Sequence, residues 1–322
     1  MTASPTYSLV IPVYNEEQAI PFLMERLQPA VAQLDGPVEI LFVNDGSADR
    51  SRPLLEQLAR GDQRVKAINL SRNFGHQIAI TAGMEHAAGD AIIVMDADLQ
   101  DPPEIIGEMA HHWRGGFDVV YAQRIERQGE SAFKRATASA FYKFVNALSD
   151  TAIPLDTGDF RLISRRARDA FMRMPERERF VRGMFAWIGF KQCAVPFVRS
   201  ARVAGGTKYP LPRMIRLAVN GVISFSDVPL RLVMYIGLAI TTFAILYGIW
   251  TVIQRLAGAE YVPGWASLFV ATVLLTGANM TMLGVIGLYV GRIYTQVKGR
   301  PMYLIDSVVS APASGDGEPK SP

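Results

Sequence analysis

Residues 91–104 read Ala-Ile-Ile-Val-Met-Asp-Ala-Asp-Leu-Gln-Asp-Pro-Pro-Glu. Ala91–Met95 is a short, unbroken apolar run rich in Ile, the pattern of a strand buried on both faces. Carboxylates follow it at once. On an extended segment residues two apart point the same way, so Asp96 and Asp98 share a target, with the Gln100 amide in reach. Two hard carboxylates and an amide oxygen make a partial cage that suits Mg2+ or Mn2+, the remaining positions going to water and substrate phosphates. Pro102-Pro103 closes the loop and Glu104 opens the next helix. A lone Asp-x-Asp would read as a solvated acidic turn; the loops that accompany this one move the reading to a metal.

Three similar runs precede it, Ser8–Val13, Glu39–Val43 and Ala67–Leu70, and helix-length segments such as Glu17–Gln33 and Ser51–Arg60 separate several of them. This alternation predicts an α/β fold with a mostly parallel sheet covered on both faces. Ligands of such sheets bind beyond the carboxyl ends of the strands. The first strand ends in Val10-Ile11-Pro12-Val13-Tyr14-Asn15-Glu16-Glu17, where Pro12 stiffens the turn and Glu16 caps or accepts hydrogen bonds. The second ends in Asn44-Asp45-Gly46-Ser47-Ala48-Asp49, whose carboxylates suit a uracil N–H or a ribose hydroxyl. Taken singly, each is also ordinary helix-capping turn chemistry.

The chain has 322 residues, 49% of them hydrophobic, and a net charge of +3. That small excess gives no electrostatic case for nucleic acid. The single cysteine, Cys193, excludes an internal disulfide and a thiolate metal cluster. The first apolar run lacks a basic flank, so no secretory signal is expected, and what precedes the first span is expected in the cytoplasm. The mean hydropathy of +0.15 is concentrated near the C-terminus. Leu232–Gln254 and Tyr261–Gly291 carry no Asp, Glu, Lys or Arg, and each exceeds the roughly 20 residues that cross a bilayer as a helix. Tyr235, Tyr247, Trp250, Tyr261, Trp265, Tyr289 and Tyr294 fall where interfacial aromatics belong. Arg213, Arg216 and Arg231 precede the pair, Arg292, Lys298 and Arg300 follow it, and only Arg255 and Glu260 lie between. The positive-inside rule then puts both flanks in the cytoplasm. The expected organisation is a catalytic domain over 1–208, an interfacial amphipathic segment over 209–230, transmembrane helices over 231–254 and 262–291, and a cytoplasmic tail over 292–322 whose Ser-, Pro- and Gly-rich end is disordered. Gly287 and Gly291 offer a site for close helix contact.

Taken together, the three strand-end loops resemble those of the A-type (GT-A, Rossmann-like) glycosyltransferases of family 2. Leu70–Gln77, Asp96–Glu104, Gly158-Asp159-Phe160-Arg161-Leu162 and the two C-terminal spans are similar to the polyprenyl-phosphate glycosyltransferases, among them the dolichol-phosphate mannose synthases and bactoprenol glucosyltransferases. The resemblance runs from Tyr7 to about Ile305. It implies that Pro12, Tyr14, Glu16, Asp45 and Asp96 contact the nucleotide sugar, that Asp96, Asp98 and Gln100 hold the metal, and that Asp159, with Arg161 beside it, is catalytic. It also implies that Arg199, Arg202 and Lys208 bind the lipid phosphate. One departure is Asn44-Asp45 where many relatives carry two aspartates.

The resemblance implies an inverting transfer of a hexose, glucose from UDP-glucose, to undecaprenyl or another polyprenyl phosphate at the inner membrane. GDP-mannose and UDP-4-formamido-arabinose are alternative donors; a nucleotide-sensing membrane protein without chemistry is the alternative of another class. A homo-oligomer is compatible with the sequence. A processive polysaccharide synthase is excluded by the missing Gln-x-x-Arg-Trp motif and the small number of spans, and a dinucleotide enzyme by the missing Gly-x-Gly-x-x-Gly. A phosphate monoester is largely a dianion at neutral pH, so Asp159 is expected to position groups, by pairing with Arg161, more than to abstract a proton; the catalytic base that the resemblance implies at Asp159 is the competing role. His76 either lines the donor pocket or is structural. His111 and His112 point apart on one helix. Phe141, Phe144, Val145 and Leu148 are expected to form a core stripe, and Phe180, Phe185, Trp187 and Phe190 are expected to be buried in the domain, with a lining for the lipid path as the alternative. Arg199, Arg202 and Lys208 have two open roles, phosphate clamp and topology charge: a clamp loses turnover on Arg202→Lys, whereas a topology charge tolerates the exchange.

Overall fold

Tyr7–Val13 has no exposed residue, and this strand, β1, organises the sheet around it. The computed structural model describes residues 5–126, 157–177, 179–198, 228–257 and 264–312. Among them eight strands form one mixed sheet. After β1 come β2 (Val38–Asn44), β3 (Val65–Leu70), β4 (Ala91–Val94), β5 (Val119–Glu126), β6 (Thr157–Ser164), β7 (Gln192–Val198) and β8 (Ile305–Ser310), in the spatial order β7-β5-β6-β4-β1-β2-β3-β8. The pairs β1–β2, β1–β4, β2–β3 and β5–β7 are parallel, and β4–β6, β5–β6 and β3–β8 antiparallel.

Helices α1 (Ala19–Ala32), α2 (Ser51–Gly61), α3 (His76–His86), α4 (Ile106–Arg114), α5 (Arg165–Arg173) and α6 (Val181–Ile188) cover this sheet. The two-residue period of β1 sorts them into two layers. Tyr7, Leu9, Ile11 and Val13 share a buried cluster with Leu23 and Leu27 of α1, Leu55 of α2 and Met109 of α4. Val10 points the other way, against Gly83 of α3, on the face where Phe171 of α5 stacks on Phe185 of α6 at 4.8 Å. Each such large apolar side chain contributes about 1.5–3 kcal/mol by leaving water. The strand order turns back between β1 and β4. The loops after β1, β2, β3 and β4 therefore open on one edge, at the crevice where α/β sheets bind ligands.

A second compact unit holds α7 (Val228–Leu256) and α8 (Trp265–Val297). Val233–Trp250 and Leu274–Val297 are long and apolar enough to cross a membrane, and none of either stretch is buried. A soluble core helix would be mostly buried. Apolar side chains such as Phe243, Leu246 and Leu274 are instead more than 60% exposed. The helices meet where a Cβ on Gly237 would lie 3.3 Å from Met282 Cε, whereas nothing approaches Gly287 or Gly291 within 4 Å. Among the described residues no close helix contact is made at those two glycines. Both helices outrun the uncharged stretches, because Arg292–Val297 continues the helical pattern into polar residues. Ile305–Ser310, expected as part of a tail, forms β8 on the outer edge of β3. Residues 209–227, Phe141, Phe144, Val145 and Leu148 lie outside the described residues.

A side chain at Gly83 would press into Val10 and come within 3.0 Å of Val43 Cγ2. Gly83→Val is expected to cost about 1–3 kcal/mol through overpacking, read as a fall in Tm of the full chain.

Candidate active site

Burial alternates through the loop after β4: Ala97 and Leu99 are in the core, while Asp96, Asp98 and Gln100 face outward. Leu99 achieves this with a φ of 59°, a left-handed conformation that costs a leucine roughly 1–2 kcal/mol. Its side chain, 1% exposed, anchors the loop. The Asp98 carboxylate accepts the Gln100 backbone N–H at 3.1 Å.

The antiparallel register of β4 and β6 pairs Val94 with Arg161. Continued by two residues, it sets Asp96 opposite Asp159. His76, the first residue of α3, bridges them: its Nε2 lies 3.3 Å from Asp96 Oδ1 and 3.3 Å from Asp159 Oδ2. Arg182 of α6 grips Asp159 bidentately, Nε to Oδ1 at 2.9 Å and a terminal nitrogen to Oδ2 at 3.1 Å. Gln77 donates to Asp159 Oδ2 at 3.1 Å, and its carbonyl oxygen accepts the Val181 N–H at the start of α6.

These contacts set the charges. Burial would raise the Asp159 carboxyl, but Arg182 and His76 hold it well below the usual range. Burial would lower His76, yet Asp96 and Asp159 outweigh it and bring the imidazole up to about 9. Asp96 is pushed up, first by burial and then by Asp159 and Asp98, with His76 and Arg182 opposing. Arg161 does not pair with the Asp159 carboxylate as expected. It is 3% exposed, donates to the backbone carbonyls of Gly158 and Asp159, lies over the Phe185 ring at 5.2 Å, and is brought down to about 10 by burial.

The first two loops are stitched together. Asn15, at a φ of 56°, accepts the Ala48 N–H and donates its own N–H to Ser47 Oγ. The Glu16 N–H donates to Ser51 Oγ, the Glu17 N–H to Asp49, and the Arg50 N–H to Glu17. Asp45, 2% exposed, accepts the N–H groups of Phe74 at 2.7 Å and Gly75 at 3.0 Å. Its carboxylate thus ties the second loop to the loop after β3. Gly46 permits that approach: it has a φ of 65°, and a Cβ there would lie 2.5 Å from Asn73 N. Pro12 is buried in β1 and Tyr14 is 44% exposed at its end.

Asp96 Oδ1 is buried without a hydrogen bond, an acceptor that suits a cation or a ribose hydroxyl. Among the described residues no three His, Cys, Asp or Glu side chains converge as a metal cage. The donor chemistry of Asp96, Asp98 and Gln100, two carboxylates and an amide oxygen on one loop, is compatible with a hard divalent ion that takes its other ligands from water or a phosphorylated substrate. Arg199, Arg202 and Lys208 lie outside the described residues. His111 and His112 have ring centres 6.2 Å apart. Phe185 is buried as expected, but Trp187 is 66% exposed. Arg182 and Gln77 were not legible as site residues, because nothing in Phe180-Val181-Arg182-Gly183 marks that arginine as facing a strand that starts 25 residues earlier.

A Rossmann-like sheet with carboxylates on the β4 loop defines a glycosyltransferase with the A-type fold. The chain belongs to glycosyltransferase family 2: the model described as Glycosyl transferase family 2 matches residues 8–171. It is 49% identical over 299 residues to the uncharacterized glycosyltransferase YkcC of Bacillus subtilis, covering 93% of each chain. It is 42% identical to the prophage bactoprenol glucosyl transferase homolog of Escherichia coli, covering 94% of this chain and 98% of that one. It is also 42% identical to the bactoprenol glucosyl transferase of Shigella phage SfII, over 92% and 96%. Glucosyl-3-phosphoglycerate synthase from Mycobacterium tuberculosis, solved with Mn2+, UDP and phosphoglyceric acid, shares the fold with a TM-score of 0.51 at 19% identity, over 68% of this chain and 78% of that one.

Asp159 and Arg182 are expected to act as a unit. Asp159→Asn and Arg182→Gln should each lower kcat about 10-fold or more, and the double variant should lose little beyond the worse single. Multiplicative losses in steady-state rates would show that the pair is not coupled.

Proposed function

We propose that this chain transfers a hexose, glucose from UDP-glucose, to a polyprenyl phosphate of the undecaprenyl class at the cytoplasmic face of the membrane, with inversion. The observation that carries the reading is the end-to-end similarity to a bactoprenol glucosyl transferase, which extends through the two unburied apolar helices. Arg231, Arg292, Lys298 and Arg300 at the outer ends of those helices favour cytoplasmic flanks.

Pro12, Tyr14 and Glu16 border the nucleotide on the first loop, Asp45 orders the loops beneath it, and Asp96 meets the ribose side. Asp96, Asp98 and Gln100 would hold Mg2+ or Mn2+. When bound, that ion supplies Lewis-acid stabilisation of the departing nucleoside diphosphate, a contribution of several kcal/mol. The acceptor phosphate attacks the anomeric carbon as a dianion and needs no base. Asp159 is poorly suited to be one, because Arg182, His76 and Gln77 already donate to its oxygens. It is a positioning residue that fixes His76 beside Asp96, and Arg161 stiffens the start of β6 beneath it. Arg199, Arg202 and Lys208 are assigned to the lipid phosphate, where guanidinium groups offset the meeting of two anions.

Membranes containing the protein, given undecaprenyl phosphate and labelled nucleotide sugars in turn, are expected to place label from UDP-glucose into lipid. Excess chelator should abolish transfer, and Asp98→Ala should lower kcat/KM about 100-fold, or about 2.7 kcal/mol. Undiminished transfer under chelation would overturn the metal assignment, and absence of labelled lipid with every donor would overturn the reaction.

A further inference from the structure

The chain does not end with its helices. Seven residues, 298–304, separate α8 from β8, and the segment from Tyr303 to Ser310 is bonded into the sheet unit at several points. Ser71, the first residue after β3, donates its N–H to the Leu304 carbonyl at 2.9 Å. Asp306 pairs with Arg52 of α2 at 2.8 Å, and the Tyr303 hydroxyl donates to Glu85 of α3 at 2.6 Å.

One contact runs inward. Ser307 Oγ accepts from Asn69 Nδ2 at 3.0 Å. Asn69, fully buried on β3, also donates to Glu56 at 3.2 Å, so its amide nitrogen faces two acceptors and its oxygen must face the other way. There it accepts from Asn44 Nδ2 at 3.0 Å. Asn44, 2% exposed, then accepts the Ser47 N–H with its own side-chain oxygen at 3.0 Å. Ser47 lies in the loop that carries Asp45 and Gly46, and the Ser71 bond holds the other partner of Asp45, the loop that leads to Phe74 and Gly75. With the Asn69 oxygen facing it, residue 44 must donate, and an ionised aspartate there would have no proton to give.

We infer that β8 is a positioning element of the donor site, with Ser307 as its positioning residue: through Asn69 and Asn44 it holds the second loop in its nucleotide-binding shape. The inference rests on the UDP-sugar reading above and adds to it a dependence of donor affinity on the strand that follows the apolar hairpin. Buried polar relays of this kind fix one arrangement of the groups they join.

The test uses the full chain in lipid nanodiscs, with Ser307→Ala, Ser307→Thr and Asn44→Asp. UDP binding in the presence of Mn2+ is measured by calorimetry, transfer to undecaprenyl phosphate by steady-state kinetics, and amide exchange over residues 44–50 by mass spectrometry. Ser307→Ala is expected to weaken UDP binding and raise the donor KM by about three- to tenfold with kcat within about twofold, and to speed exchange in that loop. Asn44→Asp should do the same more strongly, and Ser307→Thr, which keeps the hydroxyl, should restore both affinities. UDP affinity and donor KM unchanged in both Ser307→Ala and Asn44→Asp would overturn the inference, as would a loss confined to Tm. A wild-type chain that binds UDP but labels no lipid would overturn the proposed reaction alone, leaving the binding arm to decide this inference; a wild-type chain that binds no UDP would overturn both.

Discussion

The catalytic unit is organised around an excess of negative charge at the point where its strand order turns back. Asp96, Asp98 and Asp159 gather there, and His76 and Arg182 are drawn against them. Asp159 is buried and Asp96 partly so, and burial of an unpaired carboxylate is costly. The fold answers by drawing cations from two helices onto one face of the β4–β6 pair. This requirement fixes where α3 begins and where α6 points. It also leaves Asp96 Oδ1 buried without a hydrogen bond, with only the His76 imidazole beside it at 3.3 Å.

Much of the fold was legible from the chain because its centre is built of unbroken apolar runs. β1 to β4 announce themselves since both faces of each are covered, and α1 and α2 fill the intervals. The remaining strands hide for opposite physical reasons. β6 buries Asp159 and Arg161, so polar residues interrupt what would otherwise be an apolar run, and their burial is tolerated only because partners arrive from other elements. β8 is short and half exposed, which leaves an alternation too brief to distinguish from a polar tail.

The site shows the same division. The shared direction of Asp96, Asp98 and Gln100 was readable because it is local: one loop, alternate positions. The partners of Asp159 were not, since the bidentate clasp comes from Arg182 on a distant helix and displaces the expected pairing with Arg161, two residues away. Residues two apart on a strand share a face, but Arg161 is drawn to backbone carbonyls and the Phe185 ring. Asp45 was expected to face a ligand, but its carboxylate is taken up by the backbone N–H groups of Phe74 and Gly75, so it ties two loops together.

The hydrogen bonds between β3 and β8 join distant parts of the chain. Among the described residues the sheet takes seven strands from the first 198 residues and its last, β8, from beyond α7 and α8 in sequence. A chain made from its N-terminus can order its early strands first, but the outer edge of β3 stays open until almost the whole chain has been synthesised.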